Sequence, residues 1–341
     1  MAKISGLCLT LCFLILVATL APAQSNPAGP NRCASEISSC GCTITRTGTY
    51  TVTGDLNADQ SNAPNCIEIT ADHSILNLKG HTVTGNGNGR GIWIHDTADH
   101  VVIQGADEST FVRMPDDDPC APPNSQAAMN GWNVAIQDDA DYAMIQLFKS
   151  IGGSADDPNG NRTAGILMNG VTGSVAADFN ACYNGTAGVI IRNSSGAKLF
   201  NLTANNNHSS GVWLNSTNGS NIDTASLGNN GSYGIWLMIS SNNVVNDYGT
   251  SNNGDTGTLI GCGNEHCSGN QTSNNNRITN GGNNGNMSAG ILIQKHNGNN
   301  MITITANSGN PDGYDMVDQN PHCGDDVWYN NTGTTQQSCI H

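Results

Sequence analysis

The chain has little positive charge: 12 Lys and Arg stand against 27 Asp and Glu, a formal net charge of −15. Affinity for a nucleic-acid backbone comes from Lys and Arg, so nucleic-acid partners are excluded. The same charge opposes unassisted binding of polyanionic sugars, unless a divalent cation bridges carboxylates on both sides. Aromatic residues are scarce too, at 5% of the chain, which leaves a compact globular core poorly supplied. Long apolar runs are missing beyond the N-terminus. The run from Leu7 to Leu20 is about 14 residues, short of the roughly 20 that a membrane-spanning helix needs. With Lys3 before it and Ala21-Pro22-Ala23 after it, it reads as an export signal cleaved near Ala23, residues 1–23. The expected product has no transmembrane segment and is secreted, periplasmic or otherwise extracellular.

What the chain has is Gly, 41 residues of it, with abundant Asn, Ser and Thr and short apolar clusters that return at regular intervals. Removing the signal removes Cys8 and Cys12 and leaves ten cysteines, an even set suited to disulfides in an oxidising compartment. Two local pairings stand out, Cys262 with Cys267 and Cys323 with Cys339; the full connectivity does not follow from spacing.

Aligned on Gly, the clusters read GILM from Gly165, GVII from Gly188, GVWL from Gly211, GIWL from Gly234 and GTLI from Gly257, a period of 23 residues. GILI from Gly290 follows after an insertion around GCGNEHCSGN, and GIWI from Gly91 and CIEI from Cys66 precede. A second β-like segment follows each Gly by about ten residues, as in AKLFNLT from Ala197 and SNIDTAS from Ser220. Gly, Asn and Thr at this density disfavour a helical repeat. The fold class expected is all-β, a right-handed, single-stranded parallel β-helix over residues 42–307, with an N-terminal extension at 24–41 and a C-terminal cap at 308–341.

Four residues before the Gly stands Asn161, Asn184, Asn207, Asn230, Asn253 or Asn286. Stacked about 4.8 Å apart, these form an internal ladder whose amides bond along the axis. NRT, NGT, NHS, NGS and NMS are formal glycosylation sequons, but as ladder rungs these Asn point inward.

With the ladder in place, the chain resembles the right-handed β-helix proteins of the pectin-lyase-like superfamily, which includes pectate lyases, polygalacturonases, uronate epimerases and periplasmic copper-maturation proteins. ITADHSILNLKGHTVTGNGNGRGIWI, from Ile69 to Ile94, and NPHCGDDVWYNNTGTTQQSCI, from Asn320 to Ile340, are similar to segments of secreted members of unassigned function. The resemblance implies chemistry on extracellular polysaccharide, with calcium held by carboxylates and an Arg or Lys base in lyases, or paired Asp in hydrolases. The chain departs from the catalytic patterns: it has no Gly-His-Gly, only Arg277-Ile278-Thr279 in place of Arg-Ile-Lys, no Arg-x-Pro-x-x-Arg and no Asp-Pro-His-Glu. Enzyme status stays open. Nine scattered His, without His-x-His, do not support copper.

Strand alternation turns the second and fourth residues of each Gly-anchored strand inward and the third and fifth outward. The outward third position reads Trp93, Leu167, Ile190, Trp213, Trp236, Leu259 and Leu292, an apolar stripe on which sugar rings or partner side chains can stack, unless the insertions between Val101 and Gly165 or Ile260 and Gly290 fold over and bury it. The fifth adds His95, Asn169, Arg192, Asn215, Met238 and Gln294. Substrate-binding candidates are therefore Trp93, His95, Arg192, Trp213 and Trp236. Catalytic candidates are Arg192 and the cluster Asp138, Asp139 and Asp141, which is also the candidate calcium site, although Asp in such settings is ordinary turn chemistry. Two partners fit: a polysaccharide laid along the strand face, or a surface protein docked on the apolar stripe of a non-catalytic scaffold.

Overall fold

The structure, a computed structural model, describes residues 32–60, 63–106, 120, 128–152, 160–263, 271–311 and 313–340. Leu7–Leu20 and the cleavage site near Ala23 lie outside them. No helix among the described residues is long and apolar enough to cross a membrane.

The chain winds as a right-handed parallel β-helix. Its first sheet has eleven strands, running Cys42–Ile44, Asn65–Ile69, Arg90–Ile94, Val134–Asp138, Ala164–Asn169, Ala187–Arg192, Ser210–Asn215, Tyr233–Met238, Thr256–Ile260, Ala289–Ile293 and Met316–Asp318, each parallel to the next. The second sheet collects the remaining strands of each coil, sixteen in all. The stack passes the boundaries expected at 42 and 307: Glu36–Ile37 already pairs with Thr51–Val52, and Met301–Thr303 still pairs with Val327–Tyr329. Between Val101 and Gly165 the described residues form one further first-sheet strand, Val134–Asp138, which has Ala135 where its neighbours have Gly.

Close coil contact explains the recurrent Gly. A Cβ on Gly188, Gly211, Gly234 or Gly257 would lie 2.9, 2.7, 2.7 or 2.6 Å from the carbonyl oxygen of the glycine one coil further on. Any side chain there would wedge the rungs apart. The second and fourth strand residues, such as Ile166 and Met168 or Val212 and Leu214, are fully buried and face Ile145, Ala176, Leu199, Ile222 and Val245 of the second sheet. Burial of each such side chain contributes on the order of 1.5–3 kcal/mol.

The Asn ladder is continuous. Side-chain amides donate from Asn161 to Asn184 (3.0 Å), Asn184 to Asn207 (3.0 Å), Asn207 to Asn230 (3.1 Å), Asn230 to Asn253 (3.0 Å) and Asn253 to Asn286 (2.8 Å). All six are buried. A second ladder runs from Asn243 through Asn276 and Asn300 to Asp326. Its intervals of 33, 24 and 26 residues hid it from a search for one period.

Disulfides hold both ends. Cys323–Cys339 forms as expected, and Cys33–Cys42, Cys40–Cys66 and Cys120–Cys182 form besides. Cys262 is disulfide-bonded, while Cys267 lies outside the described residues.

Candidate functional site

The outer face of the first sheet carries two side-chain columns set by strand register. Glu68, Trp93, Gln137, Leu167, Ile190, Trp213, Trp236, Leu259 and Leu292 stack in the third-position column. Asp138 pairs with Ile94 and Met168, so Asp139 stands in the fifth-position column between His95 and Asn169, with Arg192 one rung beyond.

From Leu167 onward the chain covers much of its own apolar stripe, which resolves toward burial a point that the sequence left open. Leu167, Ile190 and Leu259 are buried; the first two form a satellite cluster with Val134, Ala164 and Ala187, against which Trp213 packs. Trp213 and Trp236 do stack, 4.9 Å between centroids and 8° from parallel, but both are half-buried. The Trp236 ring N–H donates to the Gly261 carbonyl at 2.8 Å, and Gly263 lies against the ring edge, clamped by hydrogen bonds to and from Gln294.

Polar groups gather on the coils from Glu68 to Arg192. Asp139 accepts three hydrogen bonds: from Trp93 Nε1 and Gln137 Nε2 at one oxygen, both 2.7 Å, and from Asn169 Nδ2 at the other, 3.0 Å. Asn169 in turn accepts from Arg192 Nε at 2.8 Å, which tethers an otherwise exposed guanidinium. Arg90 lies over the Trp93 ring at 4.1 Å and donates to Gln137. His95 stacks on Trp93 with 3.7 Å between centroids. Its Nε2 is sealed from solvent and makes no hydrogen bond; the Glu68 carboxylate lies 3.4 Å away without bonding geometry and is held at its other oxygen by Asn65. Five successive coils thus supply Glu68, Trp93 with His95, Asp139, Asn169 and Arg192, a span of about 19 Å at the usual strand spacing.

The three aspartates proposed for catalysis and calcium separate. Asp138 points into the core and is fully buried; burial foremost, opposed by hydrogen bonds from Ala140 and Ser174 and reinforced by the charges of Asp139 and Asp141, pushes its carboxyl up to about 7. Asp139 points out. Asp141 sits at the following turn and accepts the Thr172 N–H. Consecutive strand residues face opposite sides of a sheet, so these carboxylates do not fit one calcium ion. Among the described residues no group of three or more His, Cys, Asp and Glu converges on a metal position.

Sequence reasoning missed Glu68, Arg90, Gln137 and the outward placement of Asp139. CIEI already put Glu68 at the third position; Gln137 and Asp139 were hidden because Ala135 breaks the Gly pattern.

No family model matches the chain, and no curated protein does. Among solved structures it is similar to the Dettilon tailspike protein, with a TM-score of 0.52, 14% identity, and 86% of this chain covering 60% of that one. It is also similar to a mutant of the periplasmic alginate epimerase AlgG, with a TM-score of 0.51, 13% identity, and 85% of this chain covering 71% of that one. The chain therefore spans less than two thirds of the tailspike's length. At these identities the likeness establishes the fold, and the protein is a right-handed parallel β-helix protein.

Proposed function

We propose that the outer face of the first sheet, from Glu68 to Arg192, is a cleft that binds an extracellular polysaccharide. The observation that carries this reading is the Asp139 network. One carboxylate, fixed by Trp93, Gln137 and Asn169, orders an aromatic ring and, through Asn169, an exposed Arg along one line. Pre-ordered polar groups beside an aromatic surface match a sugar's hydroxyls and its apolar ring face. Support also comes from the likeness to a protein whose own substrate is alginate, a polysaccharide, and from disulfides suited to an oxidising compartment.

His95, Asp139 and Arg192 are the acid-base and charge-stabilising groups this face offers for glycan chemistry. Both Asp139 oxygens are already occupied, so its first role is to position Trp93 and Asn169. Arg192 meets the ligand. Docking of a surface protein on the apolar stripe is disfavoured, because Leu167, Ile190 and Leu259 are buried.

The test is affinity electrophoresis and product sizing with neutral and uronic-acid polysaccharides, with and without calcium. At least one polymer retards or is shortened by the wild-type protein, and Arg192→Ala and Asp139→Ala each weaken the effect about tenfold, equivalent to about 1.4 kcal/mol. Absence of retardation and shortening with every polymer overturns the proposal.

A further inference from the structure

The cleft is not uniform along its length. At its N-terminal end, beside Glu68, lies a cavity of about 420 Å³, walled on one side by Cys40, Cys42 and Thr43 and on the other by Pro64 and Asn65. This size falls within the range of small-ligand pockets. Its walls are covalently fixed: Cys40–Cys66 ties one to the other, and Cys33–Cys42 ties the first to the incoming chain. A cavity held this way costs little ordering entropy when a ligand enters.

Its charge is as telling as its shape. Among the described residues Glu68 is the one ionisable side chain that lines it, since both lining cysteines are in disulfides. No Lys or Arg side chain lines it, although Arg90 and Arg32 are register partners of the lining Asn65 and Thr43. Arg90 donates to Gln137 in the adjacent coil, Arg192, four rungs from Glu68, is tethered to Asn169, and Arg32 is exposed and does not line the cavity. Glu68 Oε1 accepts from Asn65, and Oε2 lies 3.4 Å from His95 Nε2, a nitrogen sealed from solvent. The Glu68 carboxylate is the charged group that the cavity presents to a ligand.

We infer that this cavity is a subsite for a neutral, hydroxyl-bearing sugar residue, and that the cleft runs from a neutral subsite at Glu68 to an anion-tolerant one at Arg192. The inference rests on the polysaccharide reading above. Sugar hydroxyls donate to the Glu68 carboxylate; a uronate carboxylate in the same place brings two like charges together, with no Lys or Arg lining the cavity between them. The Glu68 end thereby rejects a homopolymer of uronic acid while accepting its uncharged counterpart.

The experiment is titration calorimetry of the mature protein with tetrasaccharide pairs that share linkage and stereochemistry and differ only in oxidation at C6: β-1,4-mannotetraose with β-1,4-tetramannuronate, cellotetraose with tetraglucuronate, and α-1,4-galactotetraose with tetragalacturonate. For the pair that binds, the neutral member binds at least tenfold more tightly. Glu68→Gln weakens the neutral member and narrows the margin; Arg192→Ala weakens the neutral member without narrowing it. Glu68 is part-exposed, and an unchanged thermal unfolding curve for Glu68→Gln excludes misfolding as the cause. Equal or tighter binding of the uronate by wild type, or a margin indifferent to Glu68→Gln, overturns the subsite while leaving the cleft standing. No heat with any of the six sugars overturns both.

Discussion

Several residues of this protein hold conformations or charge states that their type disfavours, and the stacking of coils imposes them. One corner of the coil places Asp178, Asn201, Thr224, Asp247, Asn280 and Ile304 in register, all with φ between 49° and 55°. Asp and Asn tolerate that left-handed region; Thr224 and Ile304 are strained there and are held by the rungs on either side. Asp138 is the corresponding case for charge. Its neighbours in the inward column are apolar, Ile94 before it and Met168 after it, and one carboxyl oxygen finds no partner. Because its folded-state pKa of about 7 lies above the ordinary 3.8, the folded chain keeps a proton that the unfolded chain has lost. The resulting stability is fully present below about pH 4 and is lost as pH rises through about 7. Urea unfolding at pH 4, 5.5, 7 and 8 is expected to show this fall, with a shallower slope in Asp138→Asn; an unchanged slope contradicts the burial assignment.

At the scale of the element, the ladder is a directed chain of amides. Each rung accepts from the coil before and donates to the coil after. Asn207 Oδ1 takes both the backbone and the side-chain N–H of Asn184, while its own amide reaches Asn230 and the Ala181 carbonyl. Asn207→Ala leaves the buried Asn184 N–H without an acceptor and is expected to cost about 2–4 kcal/mol in equilibrium unfolding. Asn218→Ala, at an exposed turn, is expected to cost under about 1 kcal/mol. Equal costs at the two positions contradict the ladder. The direction also explains the aspartates at its end: the second ladder finishes on Asp326 and the first, through Asn310, on Asp315. A carboxylate accepts the last amide without adding a donor that has no further coil to reach.

For the whole molecule, a solenoid has two ends and no closing contact, so each coil is supported only by its neighbours. Both terminal regions carry disulfides, Cys33–Cys42 with Cys40–Cys66 at one end and Cys323–Cys339 at the other. Replacing Cys323 and Cys339 with Ser is expected to raise amide hydrogen exchange in 313–340 and leave the coils of 160–260 unchanged. Spread of the faster exchange into those middle coils contradicts nearest-neighbour support. The net charge of −15 acts at this scale too, and complements the Glu68 cavity in disfavouring polyanions.

The repeat, the inward apolar columns, the first Asn ladder and the Cys323–Cys339 pair were legible in the sequence. Each follows from local spacing, and a parallel coil turns a constant interval into a column. The second ladder and the site itself were not legible. Insertions displace Asn276 and Asn300 from the period, and Ala135 hides the strand that delivers Gln137 and Asp139. Only the folded stack adds Glu68, Gln137 and Asp139 to the face on which strand alternation had placed Trp93, His95 and Arg192, since residues from 68 to 192 share it through register across five coils. It also decided that much of the apolar stripe is buried, because burial depends on what the rest of the chain lays over a strand and no interval between residues encodes that.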